Sequence, residues 1–311
     1  MLYKNFSSYL KERYGGKIKK ICIDGGFTCP NRDGRCGIGG CSFCGERGAG
    51  EHIDPTLSIG EQVREGLSRQ TADGFIAYFQ NFTNTYAPTE ELRRRYDAAL
   101  IDGRIVALAI GTRPDCIDEE VADLIAEYTG RLDVWVELGL QTACDRTAER
   151  INRGYPTEVF ERAVRILHDR GIPVVAHVMI GLPGEGEDEL SETIALINRL
   201  PISGIKIHSL YVMEGTRLSA EYRRGEFSPI TLEQYVSRAA RVVASISPDL
   251  IVHRLTGDCP KGMLVAPEWN SDKNAIISAI VSRLASEGLR QGSLYGKTAD
   301  FDTFTLHFTE L

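Results

Sequence analysis

Six β-rich segments recur along the chain with amphipathic helical stretches between them, and this rhythm constrains the fold more than any other feature. The segments are KICID (20–24), FIAYFQNF (75–82), IVALAIG (105–111), VWVELGL (134–140), PVVAHVMIG (173–181) and GIKIHSLYV (204–212). Alternating strands and helices favour a parallel sheet with helices outside it. Because six βα units are fewer than the eight of a closed barrel, we predict an α/β fold with an open, partial (β/α)6 barrel; a doubly wound open sheet is the alternative.

Helix-start signals between these segments support the repeat, for example Pro88 before 89–100, Asp118 before 119–127 and Pro156 before 158–169. After residue 230 the sequence predicts a helix (232–245), a seventh strand in LIVHRLTG, a helix near 272–286 and a Gly- and Thr-rich tail. We therefore divide the chain into an N-terminal helix (1–18), a barrel core (19–230) and a C-terminal extension (231–311) expected to cover the barrel mouth.

Composition and charge narrow the function classes. The 311 residues are 42% hydrophobic and 25% charged, as in ordinary globular proteins. No apolar run approaches the ~20 residues that span a bilayer, and the N-terminus lacks the apolar stretch of a signal peptide, so we expect a cytoplasmic protein without membrane contact. The net charge of −7 argues against a protein that coats nucleic acid. Residues 1–50 nevertheless carry +5, which indicates either a local anionic partner or a solvated basic face.

Four of the eight cysteines lie within sixteen residues, in a glycine-rich loop after the first predicted strand. The loop reads Cys29-PNRDGRCGIGG-Cys41-SF-Cys44. Three thiolates on one loop can hold three corners of an iron-sulfur cubane, and because such clusters normally take four Cys ligands, one iron stays open for a small molecule. Spacing alone leaves Cys29 and Cys36 in competition for the first ligand. Zinc, with His52 as a further ligand, and a redox dithiol are the alternatives.

The other four cysteines are scattered through apolar or mixed segments, and we expect them to pack in the core. They are Cys22, Cys116, Cys144 and Cys259. The glycines of the cysteine loop are not followed by Gly-Lys-Ser/Thr, so a nucleotide P-loop is weakly supported. Glycine allows the positive φ angles and close backbone approach that a loop wrapped around a cluster needs.

Eight motifs, in this order and at successive strand ends, resemble those of a known family: DGGFTCPNRDG, GGCSFC, YFQNFTNTYAP, TRPD, WVELGLQT, GLPGE, KIHSLYVMEGT and VHRLTGD. The chain resembles the bacterial radical S-adenosylmethionine (SAM) proteins of the YhcC/YtqA group, relatives of the Elongator catalytic subunit. The resemblance implies a partial (β/α)6 barrel, a 4Fe-4S cluster on Cys29, Cys41 and Cys44, and SAM bound to the open iron. It leaves Cys36 as an extra thiol of unassigned role.

The resemblance also implies SAM contacts at the strand ends. They are Phe43 beside the adenine, Gln80 and Asn81 near the methionyl amino group, Arg113 at its carboxylate, Glu137 and Gln141 at the ribose or methionine, and the backbone of Ile180, Gly181, Leu182 and Gly184 along the adenine. Each has a purely structural alternative. For Glu137, a buried carboxylate without a ligand would be costly, which favours a functional role.

Polar residues expected at the barrel mouth are candidates to bind or protonate the substrate. They are Thr83, Asn84, His208, Tyr211, His253, Arg254 and Asp258, with Tyr211 the best candidate for hydrogen or proton delivery. The resemblance points to tRNA, with conversion of a carboxymethylaminomethyl group on the wobble uridine to aminomethyl. The basic N-terminal region and Arg93, Arg94 and Arg95 would contact phosphates.

The resemblance further implies an electron donor such as flavodoxin or ferredoxin. Two other functions stay open at this point: a radical SAM enzyme acting on a small molecule or a protein, and a non-enzymatic metal-binding or redox-sensing module. The sequence does not indicate the oligomeric state.

Overall fold

Seven parallel strands lie side by side in one curled sheet in the computed structural model, which describes residues 1–48, 50 and 53–296. The described residues form nine strands in all: β1 (Ile18–Ile23), β2 (Gly74–Phe79), β3 (Ile105–Thr112), β4 (Asp133–Gln141), β5 (Val174–Ile180), β6 (Gly204–Ser209), β7 (Val212–Met213), β8 (Ile251–Arg254) and β9 (Leu264–Ala266). The order in the sheet is β1-β2-β3-β4-β5-β6-β8, and β7 pairs with β9 in a separate antiparallel ribbon.

This order decides between the two predicted architectures. In a doubly wound sheet the strand order reverses near the middle, whereas here each strand of the barrel lies beside the one before it. The predicted partial barrel is therefore confirmed. The segment LIVHRLTG supplies β8, which extends the parallel sheet, so the barrel continues beyond residue 230.

Ten helices surround or flank the sheet in the described part of the chain. They are α1 (Phe6–Tyr14), α2 (Ile59–Arg69), α3 (Thr89–Asp97), α4 (Glu119–Thr129), α5 (Asp145–Arg150), α6 (Thr157–His168), α7 (Glu187–Arg199), α8 (Arg217–Arg223), α9 (Leu232–Ser245) and α10 (Lys273–Ser286). Their starts follow the sequence signals. Asp118 accepts a hydrogen bond from the Val121 N–H, and Asp272 caps α10 in the same way.

The sheet is buried on both faces, which is why its strands read as nearly continuous apolar runs. The outer face packs against the helices in the main core, and all six residues of β2 are buried. On the inner face, a second apolar cluster includes Ile76, Trp135 and Val175.

Helix α1 covers the amino ends of the strands. Phe6 and Leu10 belong to the inner cluster, and the Arg13 and Tyr14 side chains bond to Asp133 at the start of β4. The predicted N-terminal helix therefore closes the bottom of the barrel, and the opposite end, where the strand-to-helix loops leave the sheet, stays open for ligands.

Two of the sequence predictions fall outside the described residues. His52, the alternative zinc ligand, is one, and the Gly- and Thr-rich tail from residue 297 onward is the other. No helix among the described residues is both long and apolar enough to cross a membrane.

Candidate active site

A cavity of about 950 Å³ opens at the carboxyl ends of the parallel strands. The cysteine loop forms one wall, residues of β2 to β6 line the interior, and the segment from Arg254 to Met263 closes another side. This is where a barrel of this type gathers its ligands. The cavity is large enough for a nucleoside together with part of a second molecule.

Three of the four cysteines of the loop line this cavity, together with Phe43. They are Cys29, Cys41 and Cys44, whereas Cys36 is exposed and lies outside the lining. Spacing alone left Cys29 and Cys36 in competition. The fold brings only Cys29 to the cavity with the other two.

The cysteine loop is held by a second loop of the barrel, at residues 151–153. The Asn31 side chain donates to the Asn152 carbonyl at 2.6 Å, and Asn152 donates in return to the Gly40 carbonyl at 2.7 Å. Gly40 has a φ of +78°, a backbone conformation that residues with a side chain rarely adopt. Arg32 donates to the Cys44, Gly45 and Glu46 carbonyls, so this guanidinium braces the loop from inside.

The chemistry of the thiols fits a positively charged metal centre. Burial, together with repulsion from the neighbouring Cys44 and Cys29, raises the pKa of Cys41 to about 12 although Arg113 opposes the shift. Bound iron removes that penalty, because metal-coordinated thiols are deprotonated outright. In the described ranges no three Cys, His, Asp or Glu side chains converge on a single metal ion. The cysteines of a cubane each bind a different iron, so they need not meet at one point.

The predicted SAM contacts divide into two groups. Gln80, Arg113, Glu137 and Gln141 line the cavity, but Asn81 does not. The Asn81 amide donates to the Asp24 carboxylate at 2.8 Å, and its side chain packs against Gly50, so it braces the cysteine loop.

Two of the predicted SAM contacts that line the cavity, Arg113 and Gln141, are held in defined positions. Arg113 forms a two-point pair with Asp115, at 2.9 and 2.7 Å, and also donates to the Arg153 carbonyl. Gln141 ends β4 with φ +62°, a left-handed conformation, and its Oε1 accepts a 3.4 Å bond from the Tyr155 hydroxyl. A non-glycine residue held there is unusual and is often associated with a functional site.

The segment predicted to flank adenine lies beside the main cavity. Gly181, Leu182 and Gly184 line a neighbouring cavity of about 530 Å³ together with Arg146, Arg150 and Phe227. Ile180 is buried in the outer core. Met179, one residue earlier on β5, lines the main cavity, so the end of β5 separates the two spaces.

Five of the seven substrate candidates line the main cavity, namely Thr83, His208, Tyr211, Arg254 and Asp258. The fold does not bring the other two there. Asn84 is fully buried and donates to the Gly111 carbonyl at 2.6 Å. His253 stacks on Phe6 at 3.9 Å, in the apolar cluster that α1 closes.

The inner end of the cavity contains a charged network that the sequence prediction missed. Glu137 is fully buried and bonds to Lys206; it also lies 2.9 Å from His177 Nε2 and 3.6 Å from Lys20 Nζ. The Lys206 ammonium also donates to the Tyr78 hydroxyl at 3.0 Å.

Burial raises the Glu137 pKa, but the charges of Lys206 and Lys20 outweigh it and hold the pKa well below its usual range. Strand alternation could have revealed this network. Lys206 and His208 are two apart on β6, so they face the same side of the sheet.

Comparisons with known proteins agree with the partial-barrel fold. The family model of the Radical SAM superfamily matches residues 30–197, and that of the Radical SAM C-terminal domain matches residues 202–286. The chain is 38% identical to YtqA of Bacillus subtilis, over 94% of this chain and 92% of YtqA. It is 36% identical to YhcC of Escherichia coli, over 95% of this chain and 96% of YhcC.

More distant similarities extend to the Elongator group. The tRNA uridine(34) acetyltransferase of Methanocaldococcus infernus is 31% identical over 52% of this chain and 30% of that protein. Among solved structures, the M. infernus Elp3 with an N-terminal deletion has a TM-score of 0.67 at 20% identity, covering 88% of this chain and 64% of that chain. At this identity the structural likeness concerns the fold.

Proposed function

The chain belongs to the radical SAM superfamily, and we propose that Cys29, Cys41 and Cys44 hold the 4Fe-4S cluster that enzymes of this class use together with SAM. One observation carries the proposal: of the four cysteines in the loop, these three line the large cavity and Cys36 does not. We also propose that the protein acts in a reducing compartment such as the cytoplasm, where cysteines are kept reduced.

When bound, the cluster supplies one electron to SAM, which gives methionine and a 5′-deoxyadenosyl radical able to abstract hydrogen from a substrate. The residues of the chain confine that chemistry. We propose that Phe43 packs by the adenine, that Gln80 and Gln141 bond to the methionyl and ribose groups, and that Arg113 attracts the methionyl carboxylate. Tyr211 and Thr83 then face the substrate, and the Thr83 hydroxyl is buried without a hydrogen-bond partner in the described structure.

The cysteine assignment is tested by anaerobic cluster reconstitution followed by incubation with SAM and dithionite. We expect wild type and Cys36→Ser to release 5′-deoxyadenosine at similar rates, and Cys29→Ser to lose the activity almost completely, because one ligand of the cluster is missing. Cys36→Ser is the matched control, since it removes a thiol from the same loop. Equal activity of Cys29→Ser and wild type would overturn the ligand assignment, and a wild-type protein that binds only zinc would favour the metal-binding module.

We propose tRNA as the substrate, with a carboxymethylaminomethyl group on the wobble uridine converted to aminomethyl. Support comes from the relative named tRNA uridine(34) acetyltransferase.

The basic surface expected to hold phosphates needs revision. Arg93 pairs with Glu127, and Arg94 and Arg95 both pair with Glu91. Within the +5 segment, Lys20 belongs to the buried network and α1 lies at the closed end of the barrel.

Phosphate contacts near the mouth would therefore come from Lys261 at the cavity rim and from the exposed Arg35 on the cysteine loop. We propose these two cations as contacts for an acidic electron donor of the flavodoxin or ferredoxin type.

The substrate proposal is tested by incubating reconstituted enzyme with tRNA that carries carboxymethylaminomethyl-uridine and measuring nucleosides by mass spectrometry. We expect aminomethyl-uridine to appear with wild type and to be absent with Cys29→Ser. Release of 5′-deoxyadenosine without any change in the tRNA would move the search to small-molecule and protein substrates. Salt-insensitive substrate binding would favour those classes as well, since tRNA binding weakens steeply with salt.

A further inference from the structure

We propose that the inner end of the cavity contains an anion-binding subsite, built on Arg254 and His208, that recognises a carboxylate group of the substrate. The inference rests on the proposed function in one respect, because the substrate must enter this cavity. It adds the group of the substrate that the cavity recognises, a free carboxylate, and the two side chains that select it.

The inner end of the cavity carries an excess of positive charge. The charges of Lys20 and Arg254 both act on Lys206, and Glu137 is the one fully buried carboxylate beside them in the described structure. Burial, together with repulsion from Lys20 and Arg254, lowers the pKa of Lys206 to about 7 although Glu137 opposes the shift. An additional anion here would relieve that repulsion, whereas an amine would increase it.

Glu137 is already saturated with hydrogen-bond donors. Its carboxylate accepts from Lys206 and from the Trp135 indole N–H at 3.2 Å, and it lies beside His177 and Lys20. A carboxylate with this many donors has no remaining site for a cationic ligand. The network therefore does not attract a positively charged group of the substrate.

Arg254 lines the cavity with a guanidinium that is weakly held. Its hydrogen bond to Asp258 is 3.5 Å long, and that carboxylate is 56% exposed and also contacts Lys273. By contrast, the other cavity arginines have assigned partners: Arg32 donates to backbone carbonyls, and Arg113, which is paired with Asp115, is proposed to attract the methionyl carboxylate of SAM. The planar donor pattern of a free guanidinium matches a carboxylate in a two-point pair.

The His208 ring lines the cavity with an unsatisfied polar atom. Its Nε2 is buried and has no hydrogen-bond partner in the described part of the chain. Burial lowers the pKa of His208 well below the usual range, as do His177 and Arg254 by repulsion, so the ring is neutral. A neutral imidazole can donate one hydrogen bond, and a buried polar atom without a partner is costly unless a ligand satisfies it.

The subsite is distinct from the expected position of the SAM carboxylate. Arg254 and His208 belong to β8 and β6, whereas the cysteines lie on the loop after β1 and Arg113 follows β3. Other titratable groups face the same space from the remaining strands. They are Lys20 and Cys22 on β1, Tyr78 on β2, Glu137 on β4, His177 on β5 and Lys206 on β6.

The test uses reconstituted holoenzyme saturated with SAM, which blocks the open iron, and titration calorimetry at constant ionic strength. The probes are acetate and its neutral isostere acetamide. We expect acetate to bind with a dissociation constant in the millimolar range and acetamide at least about tenfold more weakly. Arg254→Gln should weaken acetate binding at least about fivefold, Arg254→Lys should fall between, and His208→Gln should also weaken it.

The matched control is Arg224→Gln, which removes the same charge from an exposed pair with Glu226 and should bind acetate as wild type does. Equal binding of acetate and acetamide by wild type would overturn the subsite, and this comparison needs no variant to fold. Identical acetate affinities of Arg254→Gln and Arg224→Gln, with circular dichroism matching wild type, would also overturn it.

Release of 5′-deoxyadenosine, measured on the same samples, separates the two proposals. Acetate selectivity without SAM cleavage would leave the subsite standing and reject the proposed function. SAM cleavage without acetate selectivity would reject the subsite and leave the proposed function standing.

Discussion

At the scale of single residues, Glu137 shows how a fully buried charge is accommodated without a ligand. Lys206, Lys20 and His177 surround its carboxylate, and the Trp135 indole N–H donates to it. A buried pair of this kind contributes little net stability compared with apolar residues, but removing one member leaves the others buried and unpaired. The network is therefore sensitive to changes of single charges.

Glu137→Gln should destabilise the protein by about 3 kcal/mol, because it leaves Lys206 and Lys20 without their counter-ion. The double variant Glu137→Gln/Lys206→Met should recover much of that loss, since it also removes the buried ammonium. Denaturant unfolding followed by circular dichroism under anaerobic conditions gives both values.

Glu127→Gln is the matched control, because Glu127 pairs with Arg93 on the exposed surface and its loss should change the unfolding midpoint little. If Glu137→Gln and Glu127→Gln had the same midpoint, the buried network would have no energetic role.

Glu137 also shows what the sequence alone leaves open. The resemblance predicted a SAM contact for Glu137, and the cost of burying an unpaired carboxylate favoured a functional role. Lys206, 69 positions further along the chain, meets that cost, so burial alone no longer supports the SAM contact, which stays a prediction. A lysine in a strand normally indicates a solvent-facing position, and only the closure of the sheet turns it inward. His253 and Asn84 were misplaced for a related reason, since polarity alone does not distinguish a side chain that lines the cavity from one that is buried in the fold.

At the scale of elements, the sequence predicted the features that depend on local chemistry. The apolar runs predicted β1 to β6 and β8, and Asp118 predicted the start of α4. The cysteine loop was predicted to follow β1, and the fold brings three of its thiols to the cavity. The role of α1 was not predictable, because its packing across the amino ends depends on contacts with strands more than a hundred residues away.

At the scale of the whole molecule, the barrel interior contains three histidines whose neutral forms are favoured. Burial and the Lys206 charge lower the pKa of His177 to about 4. Burial also holds the pKa values of His208 and His253 well below the usual range. The unfolded chain binds protons at these rings near pH 6.5, and the folded chain does not. Stability must therefore rise with pH through this window and fall as the pH drops from 6.5 toward 4.

The contribution of a single ring is testable with His253→Phe, because this ring contacts both Phe6 and Trp135 and lines no part of the main cavity. The phenyl ring fits the same apolar cluster and cannot take up a proton. Below pH 6.5, we expect the free energy of unfolding of the variant to change with pH less steeply than that of wild type, by up to about 1.4 kcal/mol per pH unit. The variant should therefore be more stable than wild type at pH 5. His168→Gln, at the exposed end of α6, should keep the wild-type slope. Equal slopes for both variants would mean that His253 is protonated in the folded protein, and the burial of this ring against α1 would then not exclude charge.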